Sequence, residues 1–352
     1  MGRKILMCGN DACGEGAMLA GCTFYAGYPI TPQNELTAYM AKRMVDTGGT
    51  FIQAESELAA INMVLGASAA GFRAMTSSSS PGISLKQEGI SYMAGCELPG
   101  VIVNIQRGGP GLGNIAPSQG DYFQAVKGGG HGDYKVIVLA PDSAQELLDH
   151  TSLAFDLSDK YRNPALILGD GLLGQMMEPV EIRTQSPGND IKSKPWALTG
   201  CAGRKPNIIK SLLLGDGALE AHNIKLQQKY KTIKDAEVRV EITNSKDSDI
   251  MVVAYGSAAR ISKAAVMKAR AKGIKAGLIR PITLWPFPEN TVSEIANKVK
   301  KFLVVEMSAG QMVEDVRLAV CGKARVDFYG RMGGGIPTED EILAQIEHAA
   351  KS

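Results

Sequence analysis

Short apolar segments alternate with helical segments through the first half of the chain. The clearest apolar segments are Phe24–Gly27, Val101–Ile105, Val136–Leu139 and Pro164–Leu168. Strands that are buried on both faces of a parallel sheet read as continuous apolar runs, and strands that alternate with helices form βαβ units. We therefore predict a doubly wound α/β domain with a parallel sheet, in which ligands bind at the carboxyl ends of the strands.

The alternation stops and then resumes, which divides the chain into three parts. Residues 184–206 are rich in Pro, Gly, Ser and Lys and read as a surface connection, and a polar helix is expected over 218–238. Strands are predicted again at Ile250–Tyr255, Ala276–Leu278 and Phe302–Glu306. We predict a first domain over 1–185, a connecting segment over 186–247 and a smaller α/β domain over 248–352.

Composition restricts the class of partner. The formal net charge is +2, with 45% hydrophobic and 21% charged residues, as in ordinary globular proteins. Without a basic excess, neither nucleic acid nor an anionic membrane surface is an expected partner. No apolar run is long enough for a signal segment or a membrane span. We predict a cytoplasmic protein that binds neither nucleic acid nor membrane.

Cysteine and histidine spacing argues against a metal site on this chain. The six cysteines form no C-x-x-C pair, and the four histidines lie far apart. Zinc sites and iron–sulfur clusters need closely spaced ligands. We predict no metal and no cluster here, with the cysteines acting as small buried apolar residues.

Two prolines restrict the junction between the second predicted strand and the helix after it. Pro29 and Pro32 push Tyr28 and Thr31 out of the helical region, and the helix is expected to begin near Gln33. Thr31 then stands where an N-cap would stand. Its hydroxyl could bond backbone amides or a ligand carboxylate, or the segment could be an ordinary capped junction.

Two charged residues also follow predicted strands, Glu57 after Thr50–Gln53 and Arg107 after Val101–Ile105. Glu57 opens an apolar helix, where a carboxyl group would be desolvated, although it could also be a first-turn acid favoured by the helix dipole. Arg107 precedes a glycine-rich loop, where a guanidinium could face a carboxylate, although it could also be a surface arginine. Other polar residues expected at the same edge of the sheet are Gln119, Asp121 and the serine run Ser77–Ser80, which is predicted to lie in a polar loop over Ser77–Gly82.

Two common motif readings fail on spacing. Gly108–Gly113 lacks the G-x-G-x-x-G pattern of a dinucleotide site and does not follow the first strand. Ser77–Gly82 lacks the G-x-S-x-G elbow, and no histidine is placed to act as its base. We therefore exclude an NAD-binding fingerprint and a serine hydrolase.

Five motifs in a fixed order carry a resemblance to a known family. They are Tyr28–Pro32, Gln53–Glu57, Thr76–Gly82, Gln106–Pro110 and Gln119–Asp121. Together they resemble the α subunit of the 2-oxoacid:ferredoxin oxidoreductases, and the region that begins at Met251–Ser257 resembles the transketolase C-terminal-like domain of those subunits. The run Ser77–Gly89 is more similar to the 3-methyl-2-oxobutanoate (branched-chain) type than to the 2-oxoglutarate type.

The resemblance implies a cofactor and roles for individual residues. The first domain would be a pyrimidine-type thiamine diphosphate domain. Glu57 matches the glutamate that bonds N1′ of the aminopyrimidine and favours the imino tautomer from which the ylid forms. Thr31 and Arg107 match the residues that hold the 2-oxoacid, and Tyr28 and Pro29 are expected beside the cofactor. The implied reaction is CoA-dependent oxidative decarboxylation to acyl-CoA and CO2, with electrons passed to ferredoxin.

The resemblance also implies that partner chains complete the enzyme. Gly169–Gly171 resembles the start of a G-D-G…N diphosphate/Mg²⁺ signature, but no asparagine follows at a suitable distance. A β-type subunit would then hold the diphosphate and Mg²⁺, 4Fe-4S clusters would lie on partners, and γ and ferredoxin-like δ subunits are expected. The alternatives are a 2-oxoglutarate- or indolepyruvate-specific member, or a non-catalytic assembly subunit with the same fold.

Overall fold

Strands and helices alternate along the computed structural model, which describes residues 3–182 and 194–351. The strands are β1 Arg3–Cys8, β2 Phe24–Gly27, β3 Thr50–Gln53, β4 Ala74–Ser78, β5 Gly100–Gln106, β6 Ile137–Leu139, β7 Pro164–Asp170, β8 Met177–Ile182, β9 Val240–Thr243, β10 Ile250–Val253, β11 Ala276–Pro281, β12 Thr283–Trp285, β13 Lys301–Glu306 and β14 Arg325–Gly330. The helices are α1 Gly9–Leu19, α2 Asn34–Thr47, α3 Glu57–Ala69, α4 Ser80–Gly95, α5 Tyr122–Val126, α6 Ala144–Tyr161, α7 Gly171–Gln175, α8 Ala218–Ala236, α9 Gly256–Ala271, α10 Glu289–Ala296, α11 Met312–Val320 and α12 Glu339–Lys351.

The larger sheet confirms the predicted doubly wound domain. Its strand order is β12-β6-β7-β5-β4-β2-β3, and every neighbouring pair is parallel except β12 with β6. The central strands β5 and β7 are buried along their whole length, as expected of strands covered by helices on both faces. The parallel strands therefore present their carboxyl ends along one edge.

The smaller sheet confirms the second α/β region. Its order is β14-β13-β10-β11-β9, with β9 antiparallel to β11 and the other pairs parallel. Buried residues of β10, β11 and β13 pack with α9 and α12 in one apolar cluster. Strand β9 lies in the segment predicted as a connection, so that segment also contributes to this sheet.

The first strand lies outside the larger sheet. β1 pairs antiparallel with β8 in a two-stranded ribbon, with Ile5 opposite Val180. Leu6 is exposed and Met7 is buried, which is the alternation of a ribbon covered on one face. The apolar residues of Lys4–Cys8 predict a strand here, but nothing local indicates that β8 is its partner.

Two local predictions need correction. Thr31 is not the N-cap of α2, because Gln33 occupies that position and the Thr31 hydroxyl accepts a hydrogen bond from Asn34 Nδ2 at 3.1 Å. The serine run is not a loop either. Ser77 and its neighbour Ser78 belong to β4 and Ser80 begins α4, so Ser79 alone connects them.

Contacts between the two sheets cross the predicted domain division. Strand β12 comes from the C-terminal part of the chain but extends the larger sheet. Arg280 on β11 is buried and donates to both carboxylate oxygens of Glu146 on α6, at 2.7 and 2.8 Å, and to Glu241 at 2.7 Å. Burial alone would raise the pKa of Glu146, but hydrogen bonds and charge from Arg280 lower it to about 2. The boundary predicted at 185/186 lies outside the described residues, and the division into domains stays a prediction.

Gln119, predicted at the edge of the site, connects the two sheets instead. Its backbone N–H donates to the Met307 carbonyl, and its Oε1 accepts from the Met307 N–H at 3.0 Å. Its Nε2 donates to the Tyr255 carbonyl at 2.8 Å. These contacts are buried, so the side chain acts as a polar link between the two sheets.

Replacing Gln119 by Ala is expected to lower the free energy of unfolding by about 1–3 kcal/mol, because the Met307 N–H would lose its acceptor in a buried place and the Tyr255 carbonyl would keep only the Ala259 N–H as a donor. Urea unfolding measures the change. Gln228→Ala, an exposed position on α8, is the control and should change it by less than about 0.5 kcal/mol. Equal stability of the two variants would contradict the assigned role of Gln119.

Candidate functional site

Four neighbouring strands bring the predicted site residues to one edge of the larger sheet. Strands β5, β4, β2 and β3 are adjacent in that order and parallel. The junctions after them carry Arg107, the serine run, Thr31 and Glu57 respectively. Carboxyl ends of parallel strands meet at one edge, so segments far apart in sequence converge there.

Glu57 is a buried carboxylate at the start of α3. Its residue exposure is 6%, and the hydroxyl of Ser56 caps the helix by accepting from the Ala59 N–H at 3.1 Å. A Cβ on Gly82 would lie 2.5 Å from Glu57 Oε1 and closer still to Ser78 Oγ. None of the hydrogen bonds among the described residues involves the Glu57 carboxylate. The group is therefore held in place by packing, with its oxygens available to a ligand.

Arg107 and Thr31 are brought together, as predicted for a shared site. Arg107 is 8% exposed; its Nη1 donates to the Thr31 carbonyl and its Nη2 to the Leu112 carbonyl, each at 3.0 Å. Its backbone N–H donates to Ser80 Oγ at 3.0 Å, while Nε has no partner among the described residues. Two carbonyls thus fix a buried guanidinium whose Nε–H donor is unused.

Tyr28 and Pro29 lie on the loop between β2 and α2, which also carries Thr31. Both are exposed, Tyr28 to 39%. The structure therefore places them at the rim of the site, where a ligand or a second chain can reach them.

A buried hydrogen-bond network beneath this loop was missed from the sequence. Gln33 Oε1 accepts from Ser77 Oγ at 2.6 Å and from Thr37 Oγ1 at 3.2 Å. The Tyr25 hydroxyl lies 2.6 Å from Ser77 Oγ and 3.1 Å from Thr37 Oγ1. Gln33 Nε2 is buried and has no partner in the part of the chain that the structure describes. A glutamine next to a proline gives no local signal of such a role.

A second polar cluster fixes the start of α4. Asp121 Oδ2 accepts from Ser80 Oγ at 2.6 Å and from Asn104 Nδ2 at 2.9 Å, and Asn104 Oδ1 accepts from the Ser80 N–H. Burial raises the pKa of Asp121, although these hydrogen bonds oppose the rise. The predicted apolar strand 101–105 contains Asn104, and the sequence reading overlooked it. Ser80 thereby connects Asp121 to Arg107.

The segment after β14 contacts the loop that follows Arg107. Asn114 Nδ2 donates to the Gly333 carbonyl at 2.9 Å. Gly334 has a φ of 94°, and a Cβ there would lie 2.6 Å from the Cβ of Ala116. Glycine is needed at this position both for its backbone conformation and for the close approach.

Asp170, in the segment resembling a diphosphate signature, has a structural contact instead. Its Oδ1 accepts from the N–H groups of Leu172 and Leu173 at the start of α7, and from Ser257 Oγ at 2.8 Å. Burial raises its pKa while these bonds oppose the rise. Asp170 is therefore committed to the cap of α7 and to a contact with Ser257 at the start of α9.

The unpaired polar atoms of the site fit a polar heterocyclic ligand. Among the described residues, buried side-chain atoms without a partner include Gln33 Nε2, Ser78 Oγ, Ser79 Oγ and Arg107 Nε. Native proteins leave few such groups, and each calls for an explanation such as a bound ligand. These unused polar atoms and the Glu57 carboxylate suit an aminopyrimidine ring and an acid substrate.

A separate cavity of about 780 Å³ lies away from these residues and is lined by Lys135, Tyr230, Trp285, Phe287 and Glu289 among others. Lys135 precedes β6, so this cavity is at the amino end of the parallel strands, opposite the ligand edge of an α/β sheet. We place the site at the carboxyl edge for that reason. Within residues 3–182 and 194–351, no helix is long and apolar enough to cross a membrane, and no group of three or more metal-ligating side chains is gathered.

Comparison of the sequence with known proteins identifies two protein families and several relatives. The family described as pyruvate flavodoxin/ferredoxin oxidoreductase, thiamine diphosphate-binding, matches residues 15–246, and pyruvate:ferredoxin oxidoreductase core domain II matches 248–342. The chain is 50% identical to the ketoisovalerate oxidoreductase subunit VorB of Methanothermobacter thermautotrophicus, covering 97% of both chains. It is 40% identical to the 2-oxoglutarate synthase subunit KorA of Methanothermobacter marburgensis, covering 96% of this chain and 97% of the other.

A solved structure extends the comparison to three dimensions. It is the 2-oxoglutarate:ferredoxin oxidoreductase of Magnetococcus marinus with 2-oxoglutarate, coenzyme A and succinyl-CoA bound. The TM-score is 0.88 at 29% identity over 99% of this chain. This chain spans 65% of the length of that one.

Proposed function

The chain belongs to the family of 2-oxoacid:ferredoxin oxidoreductases, and from this we propose that it is the catalytic α-type subunit, which binds the pyrimidine half of thiamine diphosphate and acts on a branched-chain 2-oxoacid. The observation that carries the proposal is the buried Glu57 carboxylate, which makes no hydrogen bond to any described residue and lies against Gly82. The neighbouring Arg107–Thr31 contact supplies a fixed positive charge on the same edge.

Each proposed role follows from the chemistry of the side chain. Glu57 holds the proton at a ring nitrogen of the cofactor, as a carboxyl group in a dry site can do. The guanidinium of Arg107 binds the substrate carboxylate, and Thr31 positions that guanidinium through its carbonyl. Tyr28 and Pro29 form the rim against the cofactor. When bound, thiamine diphosphate supplies the carbon nucleophile and the electron sink for decarboxylation.

Partner chains are part of the proposal. A β-type subunit would hold the diphosphate and Mg²⁺, and γ and δ subunits with 4Fe-4S clusters would pass electrons to ferredoxin while coenzyme A takes the acyl group. The relative named as a subunit supports this, as does the longer solved chain, which has coenzyme A bound. The cytoplasmic location stays a prediction from the sequence.

The substrate class is inferred from the relatives. The relative at 50% identity is named for ketoisovalerate and the one at 40% for 2-oxoglutarate. The higher identity favours a branched-chain acid. A 2-oxoglutarate enzyme would need a cation for the second carboxylate of its substrate, which gives a physical criterion for the alternative.

A reconstituted assay tests the function. The chain is co-expressed with its partner subunits, and CoA-dependent reduction of a viologen dye is followed with a panel of 2-oxoacids, with and without thiamine diphosphate. Fastest turnover with 3-methyl-2-oxobutanoate is expected. A preference for 2-oxoglutarate would overturn the substrate class, and no turnover by a complex with all cofactors bound would favour an assembly subunit.

Replacing Gly82 by Ala is expected to lower kcat about tenfold or more, because the new methyl group would displace the Glu57 carboxylate and the Ser78 hydroxyl. The matched control is Gly66→Ala on α3, where a Cβ would meet nothing within 4 Å. That change should leave kcat unaltered and stabilise the helix by about 0.5–1 kcal/mol. Equal kcat for both variants would count against the tight fit at Gly82.

A further inference from the structure

Lys86 is a fully buried lysine that the proposed mechanism does not use. Its exposure is 0%. It lies on α4 one turn beyond Gly82, and residues four apart share one helix face. Gly82 is the residue against which the Glu57 carboxylate packs. The two helices meet closely along this face, since a Cβ on Gly89 would lie 2.6 Å from Cγ2 of Ile61 on α3.

The Lys86 amine makes one hydrogen bond among the described residues. Nζ donates a hydrogen bond to Thr76 Oγ1 at 2.5 Å, although an ammonium group has three donors. Burial lowers its pKa to about 7, and the charge of Glu57 opposes that change. Within the described part of the chain, Glu57 is the charged group that acts on Lys86. The two are not in direct ion-pair contact, so they interact through a low-dielectric interior.

A cation in such an interior attracts a nearby carboxylate far more strongly than it would in water. We propose that Lys86 is a positioning residue that holds the Glu57 carboxylate at the contact between α3 and α4 in the cofactor-free site. The carboxylate is then already placed to bond a ring nitrogen when the cofactor arrives. This last consequence rests on the proposed function, whereas the Lys86–Glu57 coupling does not.

A double-mutant cycle on the full chain without cofactor tests the coupling. Wild type, Glu57→Gln, Lys86→Met and the double variant are unfolded in urea at pH 6 and pH 9. At pH 6 the lysine is charged, and the coupling should change the unfolding equilibrium constant by about tenfold or more. At pH 9 the folded lysine has lost its proton, because that pH lies above its folded pKa, and the coupling should disappear.

The control cycle replaces Lys229 by Met instead of Lys86. Burial lowers the pKa of Lys229 to about 8, with Glu97 opposing, and its amine lies 3.6 Å from Glu97 rather than near Glu57. No coupling to Glu57 is expected at either pH. If Lys86→Met does not fold, Lys86→Gln replaces it in the cycle. A coupling that is absent at pH 6, or equal at both pH values, would overturn the proposal.

Measuring thiamine diphosphate binding distinguishes a failure of the Lys86–Glu57 proposal from a failure of the proposed function. Titration of the complex with partner subunits should give weaker binding for Lys86→Met than for Lys229→Met. If the pH-dependent coupling is found but the wild-type complex does not bind thiamine diphosphate, the Lys86–Glu57 pair stands and the proposed function fails. Equal binding by the two variants would show that Lys86 does not prepare Glu57 for the cofactor and would overturn that part.

Discussion

Replacing Glu57 by Gln in the assembled enzyme is expected to lower kcat about 10²–10⁴-fold, the range that a positioned proton-transfer group contributes. Glutamine has the shape of glutamate, so the packing against Gly82 is kept while the ionisable oxygen is lost. The amide cannot exchange a proton with a ring nitrogen. The measurement is CoA-dependent dye reduction by saturating 2-oxoacid, with bound thiamine diphosphate quantified in the same preparation.

The control for Glu57 is its neighbour Glu55, which is exposed and also follows the carboxyl end of β3. Glu55→Gln removes the same charge from the same segment but outside the buried site, so kcat should remain within about twofold of wild type. Comparable losses in the two variants would indicate a general effect of charge. Full turnover by Glu57→Gln in a complex loaded with cofactor would remove Glu57 from the mechanism.

Replacing Arg107 by Met is expected to raise KM for the 2-oxoacid about 10–100-fold, which corresponds to roughly 1.5–3 kcal/mol for hydrogen bonds to a charged group. The change also removes the donors to the Thr31 and Leu112 carbonyls, so the loop loses its anchor. Arg107→Lys should recover only part of the loss, because one ammonium cannot reproduce the planar fork. Steady-state kinetics with varied 2-oxoacid measures the effect.

Measuring both cofactor affinity and KM distinguishes a loss of substrate binding in Arg107→Met from misfolding of that variant. The affinity for thiamine diphosphate should stay near that of wild type, since Arg107 is assigned to the acid substrate. Arg317→Met, an exposed arginine on α11, is the matched control and should leave KM unchanged. Loss of cofactor affinity with unchanged KM would reassign Arg107 from the substrate to the cofactor.

The strands show where local sequence was sufficient. Phe24–Gly27 was predicted with the bounds it has, and the predicted strands at 101–105 and 164–168 lie inside β5 and β7. A central strand of a parallel sheet is covered on both faces, so its burial is recorded in consecutive apolar residues. The start of α2 was predicted to within one residue, near Gln33 against the observed Asn34, but its N-cap was not. The N-cap is Gln33 rather than Thr31, and because Gln33 makes no side-chain cap hydrogen bond, no cap residue type marks it in the sequence.

The sequence by itself determined the α/β class and family, and singled out three residues that tertiary structure places on one edge: Glu57, Arg107 and Thr31. Each of these lies in the short segment that follows a predicted strand, and in a parallel sheet that position implies the shared edge. Tertiary structure decided which atoms remain free there, through the partners of Gln33 and of Asn104, and it decided that Gln119 links the two sheets. Periodicity along a chain reports how deeply a residue is buried, whereas its hydrogen-bond partner is chosen among residues dozens to hundreds of positions away. Only the packed fold holds that information.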